Sequence, residues 1–295
     1  MWFGAVLMVP VILAGIAFMP FNPITAGSDL LVVPSLTPLA ADALISQELD
    51  VTPKTLGAAM TDSNKAWDKI EFNSRTLFNN VWGLAVDEKL NSGIFTHQDK
   101  SFGWHWNRPE PGIKPGQTNI QPIFPNIRIG GNPWERSNNT SFPIKLSDLK
   151  SLTLEVAYNY SSNPIGSYNL AYDMFFTDLS EPSANPKPKA EVMIWLHSTN
   201  QQPDKSYKGD FSDGSNTFRL YSWKMAEGKI YYAFILKNEI KTGDQTVINA
   251  GKLLAQLNLD PGLFLPGIEF GNEIWKGSGQ IEIIRFAIAV NGNTL

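Results

Sequence analysis

Apolar and polar positions alternate with the two-residue period of β-strands along most of the chain after Trp67. The pieces TLFNNVWG, SLTLEVAYNY, YNLAYDMFFT, AEVMIWLH, TFRLYSW, KIYYAFILK and GQIEIIRFAIAV are separated by Gly, Pro, Asn and Asp. Strand side chains point to opposite faces in turn, so these pieces between turn signals predict an all-β antiparallel sandwich. Only LSDLKSL and INAGKLLAQLNL read as helical. The second predicts one short helix packed on the outside.

The N-terminal part has a different pattern. The first 21 residues, MWFGAVLMVPVILAGIAFMPF, carry no charged side chain, and the first acid is Asp29. This predicts a hydrophobic signal or membrane anchor over residues 1–24. The basic residues that usually open a secretory signal are missing, and Pro10 and Pro20 count against a buried core helix. Residues 25–65 mix Pro, Thr, Ser and Ala with two short apolar pieces, LLVV and LAADALISQEL, and read as a linker or pro-segment. The folded domain is then expected over 66–295, exported to the cell surface or beyond, with membrane contact only through the N-terminal segment.

In AEVMIWLH, alternation puts Val192, Ile194 and Leu196 on one face and Glu191, Met193 and Trp195 on the other. An acid, a thioether and an indole together suit a lined groove better than a dry core. In IEFGNEIWKGSG, Glu269, Gly271, Glu273 and Trp275 share a face if the segment is a strand, with the glycine leaving room for a ligand. Asp173 alternates away from Tyr172 and Met174. Three strands thus offer acids to the face opposite the core.

Composition narrows the chemistry. With 18% charged residues and a net charge of −4, the chain offers no electrostatic hold on nucleic acid. It has no cysteine, which removes disulfides, thiol catalysis and cysteine-ligated metals. His97, His105 and His197 lack metal-ligand spacing, and Gly130-Gly131 and Gly277-Ser278-Gly279 fit no nucleotide fingerprint, so neither metal nor cofactor is expected. Paired carboxylates need neither. One protonates a departing glycosidic oxygen while the other attacks or activates water, and crowding by a neighbouring carboxylate and an apolar wall keeps the acid protonated. Ordinary solvated acids on an exposed sheet face would leave the same pattern.

Several blocks in order resemble glycoside hydrolase family 12, the jelly-roll endoglucanases. They are N-N-V-W-G at 79–83, A-Y-D-M-F at 171–175, E-V-M-I-W-L at 191–196, and F-G-N-E at 270–273 followed by G-S-G-Q-I at 277–281. W-H-W at 104–106 and G-G-N-P-W at 130–134 add to the likeness, which covers roughly residues 72–292. The resemblance implies a β-jelly roll of two antiparallel sheets whose concave sheet forms a cleft for β-1,4-linked glucan, cleaved with retention of anomeric configuration. It implies Glu191 as nucleophile, Glu273 as general acid/base and Asp173 as the acid that supports the nucleophile. Glu269 competes with Glu273, but only Glu273 has the Gly-rich turn after it.

Trp82, with Asn80 nearby, takes the place of a sugar-stacking platform, and Met193 lines the cleavage subsite. Trp104 and Trp106 are further candidates for sugar binding, whereas Trp134, Trp195 and Trp223 read as core residues. The partner is then a β-glucan substrate and the protein a monomer. A non-catalytic carbohydrate-binding module or lectin on the same fold is the main alternative, but it has no need of three acids together. A tethered envelope protein would use the apolar N-terminus and the sequons at Asn138, Asn139 and Asn159, and it too leaves the acids unexplained. The family's fungal members carry a disulfide that this chain cannot form, and residues 109–121 match no family block.

Overall fold

The computed structural model describes residues 59–295 apart from 137–138, 162, 204–205, 226, 239 and 241. The expected leader and most of the expected linker lie outside these residues. One layer contains, in spatial order, β2 (Lys69–Phe72), β3 (Arg75–Phe78), β6 (Asn126–Gly130), β16 (Gly267–Gly271), β9 (Ile165–Phe176), β10 (Ala190–Thr199), β13 (Ile230–Leu236), β12 (Thr217–Lys224) and β11 (Tyr207–Ser212). The other contains β1 (Ala59–Ser63), β4 (Asn91–His97), β5 (Phe102–Arg108), β17 (Ile274–Val290), β8 (Leu152–Tyr160) and β14 (Thr246–Ile248). Short β7 (Ile144–Lys145) and β15 (Phe264–Leu265) pair with each other, and β18 (Asn293–Thr294) closes on the end of β17.

Strand β17 ties the layers together. Its first residues pair with β9, Gly277–Ile283 pair with β5, and Ile281–Val290 pair with β8, so a single ladder of 16 strands curls into both layers. This is the expected all-β jelly roll, with one difference in strand direction: β10 and β13 run parallel. After β10 the chain crosses to the edge strand β11 and returns through two antiparallel steps, which brings β13 beside β10 in the same direction.

The core lies between the layers. Leu77, Ile127, Phe270, Tyr172, Val192 and Phe234 come from one side, and Ile94, Trp104, Trp106, Val156, Ile281 and Ile283 from the other. Every second residue of each inner strand is therefore apolar. The opposite parity of the first layer carries Glu191, Asp173 and Glu269, as the alternation in AEVMIWLH predicts for Glu191.

Other expectations need correcting. The linker expected to run to residue 65 ends earlier, because Ala59–Ser63 form β1 and pair with β4. In TLFNNVWG the strand stops at Phe78, since buried Asn79 turns inward to bond the Lys65 and Ser92 carbonyls. INAGKLLAQLNL makes a helix only over α1 (Ala250–Leu254), N-capped by the Asn249 side chain on the Lys252 N–H. Turns that keep Leu257 buried follow it. LSDLKSL yields a single 3₁₀ turn at Leu146–Asp148, because the chain extends into β8 from Leu152.

Gly271 also works differently from the expectation. A Cβ there would lie 2.3 Å from the Pro125 carbonyl oxygen, so the missing side chain admits the backbone beside β6 rather than a ligand.

Residues 109–121 are held by a fully buried ion pair. Arg108 Nε lies 2.5 Å from Glu88 Oε1 and Nη2 3.0 Å from Oε2, while Nη1 donates to the carbonyls of Gln121 and Ile274, each at 2.8 Å. Nη2 also reaches the Gly83 carbonyl at 3.2 Å. One guanidinium thus joins the loop bearing Trp82 to the strand that follows Glu273. Losing one partner of such a pair leaves an uncompensated buried charge, which costs about 3–5 kcal/mol. Arg108→Met is expected to lose about that much stability in urea denaturation, and a loss below about 1 kcal/mol would show that the pair does not hold these loops.

Candidate active site

Register brings the acids together. Across the first layer one row of directly opposed residues reads Glu71, Thr76, Arg128, Glu269, Asp173, Met193, Ala233, Tyr221 and Tyr207. All lie on the face away from the main core. Glu191 stands two residues from Met193 on the same face of β10, opposite Phe175 of β9 and Tyr231 of β13. Tyr231 donates to the Met193 sulfur at 2.8 Å, and Met193, Trp195, Ala171 and Ala233 form a small second apolar cluster beneath the acids.

Glu273 is placed by two asparagines. β16 ends at Gly271 and β17 begins at Ile274, and in the rung between them and β9 the Asn169 N–H donates to the Glu273 carbonyl at 3.0 Å while side chains make the remaining bonds. Asn169 accepts the Glu273 N–H on its Oδ1 at 3.0 Å and donates from Nδ2 to Glu273 Oε2 at 2.5 Å. The Asn169 carbonyl, which Glu273 would otherwise use, takes the Asn272 Nδ2 at 2.6 Å, and Asn272 Oδ1 accepts the Trp104 indole N–H at 2.9 Å. Core packing therefore sets the carboxyl of Glu273. The expected alternation of 269, 271 and 273 survives across the break.

Burial dominates the electrostatics. Desolvation raises the carboxyl pKa of Asp173 well above its usual range, and Glu191, Glu269 and Glu273 each add to the rise. Burial also raises Glu191, and the Lys229 ammonium that bonds its Oε2 opposes this most. Glu269 is raised by burial but held back by Arg128 at 3.6 Å and by the Asn132 amide at 3.2 Å. Glu273 is pushed up to about 7 by burial and by the charge of Glu191, against the hydrogen bond from Asn169. A carboxyl poised near neutrality thus stands in one cluster with another that has its own cation. The arrangement suits proton donation from the first and nucleophilic attack by the second.

Not every predicted residue faces the cleft. Trp104 and Trp106 are 0% and 2% exposed in the core between the layers, so neither offers an indole face to a sugar. Their parity on β5 points them inward, and His105 between them points out. Trp82 is 37% exposed, with its N–H on Asn80 Oδ1 at 3.1 Å and its carbonyl on Lys114 Nζ at 2.7 Å. Trp195 is buried as expected, in the small cluster. Trp134 is not a core residue. It is 54% exposed and meets Phe175 edge-on at 5.3 Å, beside Glu191. Asn132 holds it there by accepting the N–H groups of Trp134 and Glu135. Trp223, also expected in the core, is half-buried and packs against Tyr231 with ring centroids 4.4 Å apart and planes tilted by 34°.

Asn169, Lys229, Tyr231, Arg128 and Asn132 escaped the sequence reading. For the first three the signal was the two-residue alternation itself. Asn169 shares parity with Asp173, and Lys229 with Tyr231 and Ala233. Among the described residues no cluster of three or more His, Cys, Asp or Glu could hold a metal ion.

A two-layer jelly roll with carboxylates massed on one layer's open face, bordered by exposed indoles, defines a carbohydrate-active protein. Comparison with known proteins agrees. Residues 74–291 match Glycosyl hydrolase family 12, and the chain belongs to that family. It is therefore a glycoside hydrolase, with endoglucanases among its relatives. Endoglucanase S of Pectobacterium parmentieri is 29% identical over 265 residues, covering 86% of this chain and 94% of that protein. A family 12 xyloglucanase from Bacillus licheniformis, solved with ligand, superposes with a TM-score of 0.69 at 27% identity, covering 78% of this chain and all of that one. Endoglucanase cel12A from Rhodothermus marinus shares the fold at 18% identity and a TM-score of 0.63, over 80% of this chain and all of its own.

The raised pKa of Glu273 links to stability. The folded state keeps a proton on Glu273 up to about pH 7, whereas the unfolded chain releases it near 4.5. Folded protein therefore binds more protons between these values, and stability falls as pH rises through them. Glu273→Gln is expected to be more stable than wild type at pH 8, by up to about 3 kcal/mol, with the two converging near pH 4.5. Parallel denaturation curves at both pH values would contradict the shift.

Proposed function

We propose that the protein is a retaining, endo-acting hydrolase of β-1,4-glucosidic bonds in glucans, with Glu191 as nucleophile and Glu273 as general acid/base. The observation that carries this reading is the unequal pair: Glu273 holds its proton to about pH 7, while Glu191 is bonded to an ammonium. In the first step the Glu191 carboxylate bonds to the anomeric carbon as the glycosidic C–O bond breaks and the leaving oxygen takes the Glu273 proton. In the second, Glu273 removes a proton from water, whose oxygen displaces Glu191 and frees the sugar.

Glu269 is the weaker candidate for the acid. It is 6% exposed and occupied by Arg128 and Asn132, whereas Glu273 is partly open. Asp173 is buried beside Met193 with Oδ1 unpartnered. Protonated, it adds no further charge to the carboxylate cluster.

Endo action is supported by where the exposed aromatics lie. Trp67, packed against Phe78 of β3, and Tyr207 on β11 mark opposite edges of the layer, with Trp134 against Phe175 of β9 between them. The eight strand steps from β2 to β11, at about 4.8 Å each, span roughly 38 Å, enough for several sugar units. Flat indole faces pack on sugar C–H faces without a strict hydrogen-bond code. Cellulose, its carboxymethyl derivative and mixed-linkage β-glucan are the proposed substrates. Xyloglucan belongs in the comparison because one solved relative is a xyloglucanase. The uncharged N-terminal run supports action outside the cell or at its surface.

The test compares the full chain with Glu191→Gln and Glu273→Gln on carboxymethyl cellulose, barley β-glucan and xyloglucan, reading reducing ends. Wild type is expected to release sugar, and each variant to lose at least about 10³-fold in kcat while still folded. Folded wild type that binds glucan and releases nothing would make this a binding protein. Retained activity in either variant would overturn that residue's role.

A further inference from the structure

The proposed mechanism requires one carboxylate to be charged and another protonated within a single desolvated cluster. Burial alone does not make that assignment, because it raises every carboxyl in the cluster. Something outside the acids must choose which one ionises.

The β12–β13 hairpin supplies it. Its turn is closed by the Met225 N–H on the Lys229 carbonyl at 2.8 Å and the Gly228 N–H on the Met225 carbonyl at 2.9 Å. Gly228, at φ +92°, makes that turn possible. Lys229 then enters β13 with the parity of Tyr231, which faces Glu191. Its Nζ bonds Glu191 Oε2 and lies 5.4 Å over the Phe175 ring, with the Lys229 and Glu191 side chains 12% and 13% exposed. Glu227 on the same turn lies 3.8 Å from the ammonium but is 56% exposed and solvated. The cation of the row, Arg128, serves Glu269 and Glu135.

We propose that Lys229 is the counter-ion that keeps Glu191 ionised and so assigns the nucleophile's role to Glu191 and the acid's role to Glu273. It acts through Glu191 and is a positioning residue. The inference rests on the proposed function for its mechanistic meaning, though not for its geometry. The groups facing Glu191 are Asp173 from β9, Glu269 from β16, Glu273 from the β16–β17 junction, Tyr231 from β13, and Glu227 and Lys229 from the turn. All but Lys229 are acids or a phenol. When Glu191 becomes an ester and Glu273 is left as a carboxylate, the same ammonium stays within electrostatic reach of Glu273.

The sign follows from the charge. Removing a cation disfavours ionised Glu191, so the acidic limb of the kcat/KM profile moves to higher pH. Glu273 feels Lys229 only at longer range and its limb moves less, which narrows the bell. The test compares wild type, Lys229→Met and Lys229→Arg in full-length protein. It reads the pH profile on barley β-glucan and, independently of turnover, the titration of the Glu191 carboxyl by ¹³C NMR, assigned with Glu191→Gln.

Lys229→Met is expected to raise both the acidic limb and the Glu191 titration by about one unit or more, a tenfold change in the ionised fraction below the limb. Lys229→Arg is expected to restore most of it. Folding of each variant is confirmed by its amide spectrum, and if Lys229→Met fails to fold, Lys229→Gln takes its place. If Glu191 titrates within about 0.3 unit of wild type without the lysine, the assignment is wrong and the pair is merely structural. If the NMR shift appears but wild type cleaves no glucan, the counter-ion stands and the catalytic reading falls.

Discussion

Like charges gathered on a desolvated surface repel, and this constraint organises the open face of the first layer. Asp173, Glu191, Glu269 and Glu273 converge there, each desolvated by burial. Carboxylates so placed cannot all ionise, and each has found its own resolution. Glu269 leans on Arg128 and Asn132, Glu191 on Lys229, and Glu273 keeps its proton to about pH 7 while Asn169 orients it. Among the described residues Asp173 has no cation at hydrogen-bonding distance, and burial with three neighbouring acids raises its pKa well above the usual carboxylate range. In the proposed mechanism the division of labour between acid and base follows from which carboxyl has a positive partner.

That division depends on cross-strand register. Sliding β16 by one residue against β9 would turn Glu269 into the core and Phe270 into the cleft. Several contacts guard against it. Gly271 lets β16 approach the backbone beside β6, Asn272 reaches the Trp104 indole from inside the core, and Arg108 bonds the Ile274 carbonyl just beyond Glu273. Trp104 therefore bears on the proposed reaction although it is buried in the core. Trp104 anchors the amide that frees the Glu273 N–H for Asn169.

Much of this was legible in the sequence. Two-residue alternation placed Glu191, Met193 and Trp195 opposite Val192 and Ile194, and the family blocks named the acids in order. Alternation also contained Asn169 and Lys229, but a lone amide or lysine on a strand face has no chemistry until its partner across the sheet is known. Partners such as Arg128 and Asn132 depend on register between strands far apart in the chain, which periodicity within one strand does not encode. The tryptophans were misjudged for a related reason. Trp104 and Trp106 share the inward parity of β5, while Trp134 sits in a loop, where side-chain direction follows Asn132 rather than any period. In INAGKLLAQLNL, turns that keep Leu257 buried cut short a helix that local propensity alone would extend.

The most direct test of the central claim, that one ionised and one protonated glutamate act in a double displacement, is the anomeric configuration of the first product. Proton NMR of a cello-oligosaccharide during the first minutes of hydrolysis, before mutarotation, reads it from the anomeric signals. The account requires the new reducing end to be released in the β configuration and to drift afterwards toward the α/β equilibrium. Release in the α configuration would mean a single displacement by water, and the pairing of Glu191 as nucleophile with Glu273 as acid would be wrong.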